Sequence, residues 1–170
     1  MLHRKIIAVL LACSSYVLAL DGATADEFSY GFHTDKAVGL YTEVFRGDEC
    51  FVRVRGPRGG SQVKGTYDNP DGVLIITAEY GYLEIHGSAK RVIVRYVDSS
   101  AGVNLKNLQI GDGGIVVKSV DNASVMEIGS CNGPVQIRSV DNCSIVEVPR
   151  GTKLDGKDRF SDSSLLRFAK

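Results

Sequence analysis

From residue 72 onward, apolar residues recur in columns about twenty residues apart. Ser119–Ile128 reads Ser-Val-Asp-Asn-Ala-Ser-Val-Met-Glu-Ile, and Ser139–Val148 repeats it as Ser-Val-Asp-Asn-Cys-Ser-Ile-Val-Glu-Val at an offset of 20. Ala78, Asp98, Asp121 and Asp141 serve as equivalent anchors. Ile85, Leu105, Ile128 and Val148 stand seven positions after them, and Thr77, Val97, Val120 and Val140 one before. Leu74, Val94, Val117 and Ile137 stand four before, and Val92, Ile115 and Val135 six before the last three anchors. A repeat of this period marks a solenoid, in which a coil buries its apolar face only against its neighbours. The columns six and four before the anchor alternate as one face of a strand does. The column just before the anchor breaks that alternation, which predicts a bend between two strands. Coils stacked about 4.8 Å apart turn such columns into ladders.

The predicted bend carries Asp121-Asn122 and Asp141-Asn142. Asn tolerates the left-handed backbone that a tight corner needs, and stacked amides can hydrogen-bond along the axis. Over residues 72–150 the pattern resembles the right-handed parallel β-helix superfamily, which includes pectate lyases. The resemblance implies an Asn ladder at Asn122 and Asn142. It departs at the earlier corners, where Glu79 and Ser99 stand instead of Asn. A left-handed hexapeptide helix fits less well, because these coils run 20, 23 and 20 residues. The three extra residues are expected near Gly111–Gly114.

The ends fall outside the frame. Val52, Val54 and Arg55 fit a weaker coil anchored at Arg58, while residues 38–45 read as a strand and Gly47-Asp48 as a turn. Ser161–Ser164 reads as the start of a short helix, with Leu165, Leu166 and Phe168 laid over the last coil. The expected organisation is an all-β, short right-handed parallel β-helix: a signal peptide at 1–25, an N-terminal β cap at 26–71 that includes a first irregular coil, coils at 72–150 and a C-terminal cap at 151–170.

The N-terminus adds an address. A basic Met1–Lys5 precedes a largely apolar Ile6–Leu20, and Ala23-Thr24-Ala25 offers small residues for cleavage after Ala25. The apolar run is shorter than the roughly twenty residues that span a bilayer. Leu10-Leu11-Ala12-Cys13 also resembles a lipobox, and lipidation of Cys13 is the one route to a membrane. The expected location is therefore the periplasm, envelope or extracellular space. Twenty basic and twenty acidic residues balance, so nothing in the charge points to nucleic acid. Cys50, Cys131 and Cys143 remain after residue 25, an odd number spaced unlike a metal site or a disulfide scaffold.

The frame also predicts polar stripes. Arg95, Lys118 and Arg138 stand three before the anchors, with Ile75 interrupting that column. Glu84, Asn104, Glu127 and Glu147 stand six after. Arg95, Lys118, Arg138, Glu127 and Glu147 are the ligand-binding candidates. The superfamily resemblance implies, for an enzyme, Asp98, Asp121 and Asp141 with Arg95 or Arg138 acting on acidic polysaccharide. A corner Asp copied from coil to coil also bonds local backbone N–H groups without any catalysis. Tyr80 and Tyr82 could stack on a sugar ring. Arg53, Arg55, Arg58 and Lys64 form a basic patch around Gly56–Gly60. No nucleophile, zinc or nucleotide motif occurs, so neither cofactor nor metal is expected. The expectation is a non-catalytic binding or structural module, with glycans or envelope components as partners. A small lyase or hydrolase and a self-associating scaffold are the alternatives.

Overall fold

The computed structural model describes residues 32–39, 41–56, 61–155, 159–160 and 163–169. The chain is all-β, a β-solenoid of about six turns with coils of about twenty residues. The signal segment and Cys13 lie outside the described residues, as do Arg58, Ser161 and Asp162.

Two strands, β1 (Phe32–Val38) and β2 (Tyr41–Arg46), run against the direction of the coils. β2 pairs antiparallel with β3 (Glu49–Arg55), and β1 pairs antiparallel with β4 (Ser61–Glu79). From β3 onward every pairing is parallel. The solenoid therefore starts at Glu49, and the reversed strands occupy its N-terminal edge. An unpaired edge is a template for aggregation, and a reversed strand covers it.

The coils proceed through β5 (Gly81–Asp98), β6 (Gly102–Leu105), β7 (Leu108–Val117) and β8 (Val125–Ile128). They continue through β9 (Val135–Ile137), β10 (Ser139–Val140), β11 (Ile145–Val148), β12 (Arg159–Phe160) and β13 (Leu165–Phe168). The core is a set of ladders. Leu74, Val92, Ile115 and Val135 form one, and Ile76, Val94, Val117 and Ile137 the next. Across the corner, Ile85, Leu105, Ile128 and Val148 stack, each at most 3% exposed. Burying one such side chain contributes about 1.5–3 kcal/mol, so stability accumulates coil by coil.

Three expectations are corrected. The repeat frame set Ala78 level with Asp98, Thr77 with Val97 and Leu74 with Val94. The pairs are instead Ala78 with Val97, Glu79 with Asp98 and Leu74 with Val92. The corner after Glu79 is one residue shorter than that after Asp98, since Tyr82 pairs with Gly102, and the register shifts by one more between Ile76 and Thr77. Arg95 is the extra residue there, a bulge that a fixed spacing of twenty cannot register. The same offset moves the first coil: Cys50 and Val52 lie in the columns assigned to Val52 and Val54, and Arg55 reaches the anchor position beside Glu79.

The inserted residues are also divided. Glu84 pairs with Asn104 but Gly87 with Leu108, so one extra residue lies in the Lys106-Asn107 turn. The other two lie between Ile110 and Gly114, opposite Lys90. Finally, Leu165–Phe168 is a strand, not a helix. It stacks on β11 with Ile145 beside Leu165 and Val148 beside Phe168, which makes it a further coil.

Candidate functional site

The corner after each Asp anchor is made by two consecutive left-handed residues: Ser99-Ser100 (φ 59 and 62), Asn122-Ala123 (53 and 58) and Asn142-Cys143 (50 and 61), while the earlier corner has one, Tyr80 (54). Left-handed backbone costs a residue with a Cβ about 1–2 kcal/mol. Bonds between coils offset that cost. Ser100 N–H donates to the Asn122 carbonyl and Ala123 N–H to the Asn142 carbonyl, both at 2.8 Å. The anchor carboxylates complete the corner. Asp98 Oδ1 accepts the Ser99 N–H at 2.5 Å and the Asn122 Nδ2 at 2.7 Å. Asp121 Oδ1 accepts the Asn122 N–H at 2.7 Å and the Asn142 Nδ2 at 2.6 Å. Asp141 accepts the Ser139 hydroxyl. The ladder implied at Asn122 and Asn142 is therefore mainly Asn to Asp, while the Asn-to-Asn contact is long at 3.5 Å.

Just inside the corner, Ser124 and Ser144 are fully buried. Ser124 Oγ accepts the Ala101 N–H, and Ser144 Oγ the Ser124 N–H, both at 3.2 Å. The Asn-x-Ser triplets at 122–124 and 142–144 are thus parts of the corner.

The remaining sequence candidates fall on two strands separated by this corner. Arg95, Lys118 and Arg138 lie before it and are exposed. Arg95 lays its guanidinium over the Phe51 ring, 5.3 Å from the centroid, and Arg46 lies 5.8 Å from the same ring. Glu127 and Glu147 lie after the corner, in one column with Lys64, Glu84, Asn104 and Arg167. Lys106, from the inserted turn, reaches Glu127 at 2.7 Å and Glu147 at 3.3 Å, and Arg167 approaches Glu147 at 3.8 Å. At the other end of the column, His86 and Lys64 meet Glu84 at 2.5 and 3.1 Å and hold its carboxyl below the usual carboxylate range. The basic and acidic stripes do not converge. The basic patch is likewise engaged, since Arg53 and Arg55 pair with Glu79 at 3.8 and 3.1 Å.

What the stripes leave open is a groove of about 860 Å³ that crosses the coils beside the corner. Ser99, Ser100, Asn122 and Ala123 form one side, while Gly81, Ala101, Gly102 and Val103 lie along it. Ser61 and Gln62 stand toward one end with Tyr80 and Tyr82 in the next coil, and Val125 and Glu127 toward the other. Its volume falls within the range of small-molecule sites. None of Arg95, Lys118 and Arg138 lines it.

The local sequence positions the tyrosine. Tyr82, Gly102 and Val125 occupy one outward column in successive coils. A Cβ on Gly102 would lie 2.8 Å from Tyr82 Cδ2, so the ring rests on the glycine. Asn104 Nδ2 donates to Tyr82 Oη at 3.2 Å, and Asn104 Oδ1 accepts the Lys106 N–H at 2.9 Å. An amide fixed at both ends therefore holds the ring along the solenoid axis. Tyr80, Tyr82 and Val125 are 37%, 39% and 41% exposed, an apolar surface flanked by hydroxyls and amides. The sequence singles out the two tyrosines and marks Ser99 only as a corner residue, but does not point to Gly102 or Ser100. The signal was the offset of twenty between Tyr82 and Gly102, which puts a bare backbone beside an aromatic ring.

The three cysteines among the described residues are unpaired: Cys50 is buried, Cys131 half-buried and Cys143 exposed. Burial, with Glu43 nearby, pushes the Cys50 thiol up to about 12. Comparison of the chain with protein families, curated proteins and solved structures finds no match.

Proposed function

We propose that this chain is an exported, non-catalytic β-helix module of the right-handed superfamily that binds a glycan in the corner groove. The carrying observation is the Tyr82 ring, fixed between Gly102 and Asn104 at the edge of an 860 Å³ groove lined by hydroxyl and amide groups. A ring face with polar groups beside it suits a sugar, whose C–H face is apolar and whose rim is polar. Export rests on the basic and apolar N-terminal segment with its small residues at 23–25. The lyase or hydrolase alternative is less well supported. Asp98 and Asp121 already accept two hydrogen bonds each at the corner, and Arg95 is stacked on Phe51. The direct test is saccharide binding by calorimetry, with the Tyr82→Ala variant as control. Binding by the native chain that the variant loses supports the proposal, and unchanged binding by the variant removes the groove from it.

One observation favours self-association as a second reading. Phe160 and Phe168 stand in inward columns, beside Val140 and Val148, yet are 40% and 48% exposed. Contact between two such ends would cover them. Light scattering across a concentration series tests this, and a constant monomer mass would exclude it.

A further inference from the structure

We infer that the groove takes an uncharged saccharide, laid along the solenoid axis, and discriminates against polyuronates and other acidic polysaccharides. This rests on the glycan-binding reading and adds the ligand's charge class and orientation to it.

The charge follows from what lines the groove. Among the described residues no Lys or Arg lines the groove, whose polar groups include Ser99, Ser100 and Asn122. The single carboxylate, Glu127, is balanced by Lys106 at 2.7 Å. A ligand carboxylate brought here would lose hydration and find Lys106 already paired with Glu127 and Glu147. It would also lie beside the corner carboxylates Asp98 and Asp121, whose neighbours Ser99 and Asn122 form the groove side. The cationic stripe that could compensate, Arg95, Lys118 and Arg138, belongs to the strand before the corner and lines none of the groove. A saccharide hydroxyl has no such difficulty, because it can donate to Glu127 or Ser99 and accept from a serine hydroxyl.

The orientation follows from the coils. Tyr82, Gly102 and Val125 sit in three successive coils, so the outer two backbones are about 10 Å apart at the usual strand spacing. The Tyr82 ring lies over Gly102 in the middle of that path, with Val125 beyond it. The path admits a short oligosaccharide, with one ring face on Tyr82 and the next near Val125.

The experiment is calorimetric titration of the native chain with two sets of oligosaccharides of matched length. One set is uncharged (gluco-, xylo- and N-acetylglucosamine oligomers); the other is oligogalacturonate and oligomannuronate. Tyr82→Ala is tested for loss of the ring, and Tyr82→Phe keeps the ring while removing its bond to Asn104. The expected result is binding of at least one uncharged set, weakened about ten-fold or more in Tyr82→Ala. That affinity should change little as salt is raised over about one decade. Tyr82-dependent binding confined to the acidic set, or falling steeply with salt, would overturn the inference and leave the glycan-binding reading standing. Binding of neither set would overturn both.

Discussion

The side-chain amide of Asn142 donates to Asp121 Oδ1, one coil earlier, at 2.6 Å. Asn122 repeats the relation to Asp98 at 2.7 Å. In each case the amide belongs to a left-handed residue and the carboxylate to the turn before it, so the corner residues of neighbouring coils hold one another. Asn142→Ala removes that bond and leaves an alanine at φ 50. The expected cost is about 1–3 kcal/mol in urea unfolding, and Asn142→Gly, which relieves the backbone, should cost less.

Gly102 supports the Tyr82 ring, and the expected effect of a side chain there is local. In Gly102→Ala the new Cβ would meet Tyr82 Cδ2 at 2.8 Å, so the ring must lift and part from Asn104. Stability should change by less than about 1 kcal/mol, as for other surface positions. The Tyr82 ring resonances should shift, and saccharide binding should fall with them. Unshifted resonances would contradict the packing described for the groove.

Glu84 sets an acid-side dependence. Its pKa is lowered from 4.5, first by the hydrogen bond from His86 and then by that from Lys64. A carboxyl depressed in the folded state contributes stability above its unfolded pKa and loses it as pH falls through the folded pKa. Native stability should therefore drop below about pH 4.5 more than that of Glu84→Gln, the gap closing at lower pH. Chemical unfolding of both proteins between pH 7 and 3 measures it.

The thiols should differ in reactivity. Cys143 is exposed at a corner, whereas the Cys50 thiol is buried and pushed up to about 12. The thiolate is the reactive species, so an alkylating reagent at neutral pH should label Cys143 first and Cys50 only on unfolding. Peptide mapping by mass spectrometry reads each site separately.

Much of the fold was legible because a solenoid writes its geometry into its spacing. Val92, Ile115 and Val135 fell into one ladder as read, and Glu127 and Glu147 into one outward column. The frame failed where one residue was added or the direction reversed. Arg95 bulges, the corner at Tyr80 is one residue short, and β1 and β2 reverse without leaving a repeat to compare. The C-terminal strand was overlooked although Leu165, Leu166 and Phe168 follow Ile145, Val146 and Val148 by twenty. The serines before it resemble a helix cap, so local pattern and period conflict there. Among the site residues, charge drew attention to Arg95, Lys118 and Arg138. The groove depends instead on uncharged residues such as Tyr82 and the Gly102 on which its ring rests.

The central claim is that the repeated Asp and Asn residues build the solenoid while Tyr82 and its groove bind. Unfolding stability and saccharide affinity measured together on Asp121→Ala and Tyr82→Ala separate the two roles. Asp121→Ala should lose about 1–3 kcal/mol of stability, because Asn122 and Asn142 lose their acceptor, and keep its affinity. Tyr82→Ala should keep its stability within about 1 kcal/mol and lose affinity about ten-fold or more. Loss of affinity in Asp121→Ala with none in Tyr82→Ala would contradict the account.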